Sequence, residues 1–77
     1  MRILYTGSNG LLGQKLAQAT PNYPDHEFLA TARGENRVQN LGTATYASMD
    51  ITDATEVNEV VSSFKPDVII HGAAMTH

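Results

Sequence analysis

The chain opens on a run of mostly apolar or β-favouring residues, Arg2 to Thr6, with no polar alternation. A strand covered on both faces, as in a parallel sheet, reads this way. Three glycines at three-residue spacing follow in TGSNGLLG, Thr6 to Gly13, and Leu12, Leu16 and Ala19 then recur at i, i+4 and i+7. That period predicts an amphipathic helix ending at Thr20-Pro21, with PNYPD, Pro21 to Asp25, as a loop. A second strand fits Glu27 to Thr31; ARGENR breaks its pattern, and the connection through Val38 and Leu41 is expected to hold one helical turn. Thr43 to Met49 is assigned as a third strand on its β-branched threonines and Tyr46.

The sharpest local signal comes next. Asp53 can N-cap a helix with Glu56 at the capping-box position, and Val57, Val60, Val61 and Phe64 make one apolar face. KPD, Lys65 to Asp67, ends it, and VIIH from Val68 predicts a fourth strand, apolar throughout and therefore central. Strands alternating with helices imply right-handed parallel βαβ units, so the fold class is α/β.

Composition narrows the functional classes. With 77 residues the chain is one small unit, able to bury only about 60–65% of its unfolded surface. A net charge of −3 and the scatter of Lys15, Arg33, Arg37 and Lys65 argue against a nucleic-acid surface. There is no cysteine, hence no disulfide or thiolate metal site, and a cytoplasmic location is expected. No apolar run is long enough for a signal h-region or a membrane span. His26, His71 and His77 lack ligand spacing, so no metal is expected.

The glycines admit two readings: a tight turn at Asn9-Gly10, or a backbone cradle for phosphate. A strand, a glycine-rich turn and a helix in that order aim unpaired N–H groups and the positive helix end at one place. Gly7 would permit the exit from the strand, Gly10 the approach of a pyrophosphate, and Gly13 close packing of helix on sheet. The helical period from Leu12 opposes a hairpin, and Gln14-Lys15 after Gly13 does not satisfy the P-loop pattern. A dinucleotide is the expected ligand.

TGSNGLLG resembles the TGxxGxxG fingerprint of the extended short-chain dehydrogenase/reductases. MDITD, from Met49 to Asp53, resembles that family's motif at the end of strand three, and PDVIIHGAAMTH its fourth-strand segment. Within the family, KPDVIIHGAAMT is most similar to the dTDP-4-dehydrorhamnose reductases. The resemblance implies the N-terminal portion of a doubly wound Rossmann fold with strand order 3-2-1-4. It places Gly7, Asn9, Gly10, Leu11, Leu12 and Gly13 along the pyrophosphate. Asp50 would accept from the adenine amino group, with helix capping as its alternative role, and Ile51 would pack on the ring.

Cofactor choice is set at the end of strand two. Thr31 offers no carboxylate for a ribose 2′-hydroxyl, while Arg33 could hold a 2′-phosphate unless it is simply an exposed loop residue, so NADP(H) is expected over NAD(H). Small residues at Gly72, Ala73 and Ala74 leave room at the sheet's carboxyl edge. By resemblance Ala73, Ala74, Met75 and Thr76 line the nicotinamide-ribose end, Met75 being equally readable as a core residue.

No catalytic residue is expected here. Tyr5, Tyr23 and Tyr46 are not followed four residues later by lysine, and the family's catalytic tyrosine and lysine would lie beyond His77. Residues 1–77 are thus expected to be the first half of a nucleotide-binding domain, with the exposed strand four awaiting a fifth strand and the sugar-binding part elsewhere. The function implied is NADPH-dependent reduction of a nucleotide-linked 4-keto-deoxysugar for dTDP-rhamnose biosynthesis, with a nucleotide sugar as partner and room for a homodimer. The alternatives are a sugar-nucleotide epimerase or dehydratase and a non-catalytic NADP(H)-binding regulator.

Overall fold

A computed structural model describes residues 1–72. The expectations for Ala73, Ala74, Met75 and Thr76 lie outside the described residues. The elements, in chain order, are β1 (Arg2–Thr6), α1 (Leu11–Ala19) with a 3-10 turn at Thr20–Asn22, β2 (Glu27–Ala32), β3 (Thr45–Ser48), α2 (Ala54–Phe64) and β4 (Val68–His71). The four strands form one parallel sheet in the order β3-β2-β1-β4, in which Leu4 pairs with Leu29 and Ile69, and Ala30 with Tyr46. This is the α/β order expected of a Rossmann sheet.

The two helical crossovers run in opposite directions across that sheet, β1 to β2 one way and β3 to β4 the other. Right-handed connections therefore place α1 and α2 on opposite faces. On the α2 face, Leu4, Leu29 and Met49 form the buried cluster, against which Ala47, Val57, Val60, Val61 and Phe64 pack. All four apolar positions of the predicted α2 stripe thus meet the core. On the other face, by strand alternation, lie buried Tyr5 and Ala30.

Both ends of α2 are closed by specific groups. Asp53 is the N-cap, its carboxylate accepting from the N–H of Thr55 and of Glu56 at 3.0 and 3.3 Å. Glu56 does not complete the box: it takes the N–H of Asp50 at 3.4 Å, because the N–H of Asp53 is already given to the Asp50 carbonyl at 2.9 Å. At the other end, the Arg2 Nε donates to the Phe64 carbonyl at 2.6 Å while its guanidinium lies 4.3 Å from the centre of the Phe64 ring. An arginine of β1 thus satisfies one of the carbonyls that the helix end leaves open.

Three expectations are corrected. The buried residues of α1 are Gly13 and Ala17, not the leucine stripe, and Leu12 is 37% exposed. Small residues turn inward because this helix lies too close to the turn after β1 for larger ones. Between β2 and β3 there is no helical turn; the segment is held instead by Thr20, whose Oγ1 accepts from the N–H of Thr43 at 2.9 Å. Strand β3 is shorter than read, Thr45–Ser48 rather than Thr43 to Met49. As expected for strand four, β4 pairs only with β1 among the described strands and leaves Val68 and Ile69 exposed as an open apolar edge.

Candidate dinucleotide site

The carboxyl ends of β1, β2 and β3 open onto one cleft of about 390 Å³. Its lining comes from three segments far apart in the chain: Gly7, Asn9 and Gly10 after β1; Ala32, Arg33 and Arg37 after β2; and Met49 to Thr52 after β3. In a doubly wound sheet this is the side on which ligands bind.

The first segment is shaped by glycine. Gly7 has φ 69°, a left-handed conformation that lets the chain leave the strand sharply, and its carbonyl accepts from the N–H of Gly10 at 3.0 Å. Gly10 is the N-cap of α1 and has no side chain to satisfy the helix's first N–H groups, which stay available to an anion. Gly13 is buried, and a Cβ there would run into the backbone of Ser8. Its lack of a side chain holds the helix start against the turn, and through that turn against the sheet.

The second segment carries positive charge. Thr31 is fully buried with its hydroxyl donating to the Tyr5 carbonyl at 2.8 Å, so it does not reach the cleft; the lining residue at the end of β2 is Ala32. The absence of a carboxylate holds at this position too. Arg33 is followed by a loop that brings Arg37 to the same cleft. Arg37 was not singled out from the sequence, since nothing in its spacing from Arg33 says that an irregular loop returns it to the site.

In the third segment, Asp50 accepts from the hydroxyl and the N–H of Thr52 at 2.6 and 2.9 Å. These bonds, and to a lesser extent the Arg33 guanidinium, hold its carboxyl below the usual carboxylate range. Its other oxygen lies 3.6 Å from the Arg33 Nε. Met49, Ile51 and Ala32 give the cleft an apolar lining beside these charges.

Of the residues read from the sequence, Gly7, Asn9, Gly10, Arg33, Asp50 and Ile51 therefore come together. Leu11 and Leu12 are exposed at the start of α1 and do not line this cleft, and Gly13 supports it from behind. None of the tyrosines lines the cleft. Burial raises the pKa of Tyr5, and burial also raises that of Tyr46 although the Ala32 carbonyl and Arg37 oppose it; Tyr23 is exposed. Among the described residues no helix is long and apolar enough to cross a membrane.

Comparison with known proteins agrees with this architecture. L-threonine dehydrogenase from Clostridium difficile superposes with a TM-score of 0.74 at 26% identity, covering 91% of this chain and 23% of that one. The dTDP-4-dehydrorhamnose reductase of Aggregatibacter actinomycetemcomitans is 35% identical over 75 residues, which is 97% of this chain and 21% of the relative. An uncharacterized epimerase/dehydratase of Staphylococcus saprophyticus is 33% identical over 76 residues, 96% of this chain and 24% of the relative. The chain thus spans less than a quarter of the length of these relatives. A family model described as the RmlD substrate binding domain matches residues 1–77, and the chain belongs to that family.

Proposed function

We propose that residues 1–77 are the cofactor-binding half of a nucleotide-binding domain in an NADPH-dependent reductase of a nucleotide-linked 4-keto-deoxysugar. The observation that carries the cofactor part is the cleft itself. One opening combines a glycine turn with free helix N–H groups, an apolar lining, two arginines and no carboxylate at the end of β2. Gly7, Gly10 and the first turn of α1 would take the pyrophosphate, Ile51 and Met49 the adenine ring, and Arg33 the 2′-phosphate. Asp50 keeps an oxygen turned toward Arg33 and is within the same opening, where it would face the adenine amino group. When bound, NADPH supplies the hydride; this chain's residues bind and orient it.

The reductase reading is supported by the 35% identity to a dTDP-4-dehydrorhamnose reductase, and the nucleotide sugar as substrate rests on the same likeness. Likeness to an epimerase/dehydratase supports the second reading, a sugar-nucleotide epimerase or dehydratase with the same cofactor half. The exposed apolar edge of β4 supports the placing of further strands of the domain beside Val68–His71.

The test is titration of the full-length protein with NADPH and NADH, followed by turnover with a dTDP-4-keto-6-deoxysugar. Arg33→Ala is expected to weaken NADPH about tenfold or more, the scale of one charge-assisted phosphate contact, with NADH little changed. Equal losses for both cofactors would refute the 2′-phosphate role. Sugar-dependent oxidation of NADPH marks a reductase; conversion of that sugar, or of dTDP-glucose, without net oxidation marks the epimerase or dehydratase; tight NADPH binding with neither sugar converted marks a regulator.

A further inference from the structure

The side chain of Asn9 does something that its place in a glycine turn does not require. Its Nδ2 donates to the Glu35 carbonyl at 2.9 Å, and its Oδ1 accepts from the N–H of Arg37 at 2.7 Å. A single amide thus grips the backbone of the loop after β2 on both sides of Asn36. The same loop is held from β3. The Tyr46 hydroxyl lies 2.6 Å from the Gly34 carbonyl and 3.1 Å from that of Ala32, and the Ser48 Oγ accepts from the N–H of Gly34 at 3.2 Å. The loop is exposed from Arg33 to Arg37 with no regular secondary structure, and it closes on itself where the Asn36 amide bonds the N–H and the carbonyl of Val38 at 3.0 and 3.1 Å.

We infer that Asn9 is a positioning residue for cofactor choice: its amide locks the loop after β2 onto the glycine turn and so sets Arg33 and Arg37 over the cleft. The inference rests on the dinucleotide reading of that cleft and adds to it a residue that acts through the arginines rather than on the 2′-phosphate. Without the amide, the two arginines are carried by an exposed loop anchored only at its β3 side, and their charges spread over more conformations. The turn that receives the pyrophosphate and the loop that would read the 2′-phosphate are then no longer one rigid unit. A residue that merely shaped the turn would affect NADPH and NADH alike, because both carry the pyrophosphate.

The experiment uses the full-length protein, with NADPH and NADH titrated against the parent, Asn9→Ala and Asn9→Ser, and amide hydrogen exchange followed at residues 34–37. Serine keeps a polar group at the turn but is too short to span both loop contacts, so it guards against loss of fold in the alanine variant. Both variants are expected to lower the preference for NADPH over NADH by about tenfold, the effect of one lost charge-assisted contact, with faster exchange at residues 34–37. Equal weakening of the two cofactors, or an unchanged preference with a loosened loop, overturns the inference while leaving the Arg33 result standing. A parent protein that shows no preference for NADPH overturns the cofactor reading first, and the role of Asn9 with it.

Discussion

Gly13→Ala sets two known effects against each other, and the geometry decides between them. Gly13 lies in the first turn of α1, where alanine is favoured over glycine by up to about 1 kcal/mol on helix propensity and unfolded-state entropy. Packing opposes it. The new Cβ would stand 2.5 Å from the Ser8 carbonyl carbon, and closer still to that residue's Cα and oxygen, where ordinary contact needs about 3.5–4.0 Å. The obstacle is backbone, which has no rotamer to change, so the helix start must retreat by about 1 Å. Overpacking of this kind costs about 1–3 kcal/mol and sometimes more. The backbone obstacle puts the cost in the upper half of that range, about 2–3 kcal/mol, so with about 1 kcal/mol of propensity subtracted a net loss of about 1–2 kcal/mol is expected, read as a lower urea midpoint of the full-length protein at unchanged slope. Because the retreat also carries Gly10 and the first N–H groups away from β1, NADPH and NADH should weaken together. A variant as stable as the parent, or more stable, would refute the close-packing account and leave propensity as the governing effect.

Lys65 ends α2 at φ 55°, a left-handed conformation that costs a side-chain-bearing residue about 1–2 kcal/mol, so Lys65→Gly should raise stability by about 0.5–1 kcal/mol in urea unfolding; a loss would mean that the lysine side chain supports the turn. Asp50 titrates below the usual carboxylate range, chiefly through its bonds from Thr52. Its folded pKa being depressed, its contribution is present in full above the ordinary carboxylate value and is lost as pH falls through the lowered one. The stability gap between the parent and Asp50→Asn should therefore close on acidification, and a gap independent of pH would remove the charge from the account.

What the sequence disclosed was local in origin. The bounds of β1, the start of β4, the Asp53 cap and the α2 stripe each follow from neighbours within a turn or two, where period and capping chemistry act directly. The α1 face was misread by one position because hydrophobicity marks leucines, while the close approach to Ser8 selects for the absence of a side chain at Gly13. Contacts between distant segments left no pattern to read. Nothing local announces that Arg2 will cap α2, that Asn9 will reach Glu35 and Arg37, or that Arg37 will share a cleft with Arg33. The motif pointed to the cleft that the glycine turn lines, and the loop on its other side was visible only in three dimensions.

The Arg33–Asp50 pair shows why an ion pair in the cleft does not compete with the proposed ligand. At 3.6 Å, with the arginine side chain 86% exposed, it is an open surface contact of the kind that contributes little. Asp50 does not depend on it, since the hydroxyl and N–H of Thr52 already fix one carboxylate oxygen at 2.6 and 2.9 Å. Arg33 has no other ion pair among the described residues. Moving the guanidinium onto a phosphate would therefore sacrifice little and leave Asp50 held in place, whereas a short, buried pair would have made the arginine costly to recruit. The arrangement keeps the loop's charge near the cleft without committing it, and it is the rigidity supplied from Asn9, Tyr46 and Ser48, rather than the ion pair, that fixes where the charge is offered.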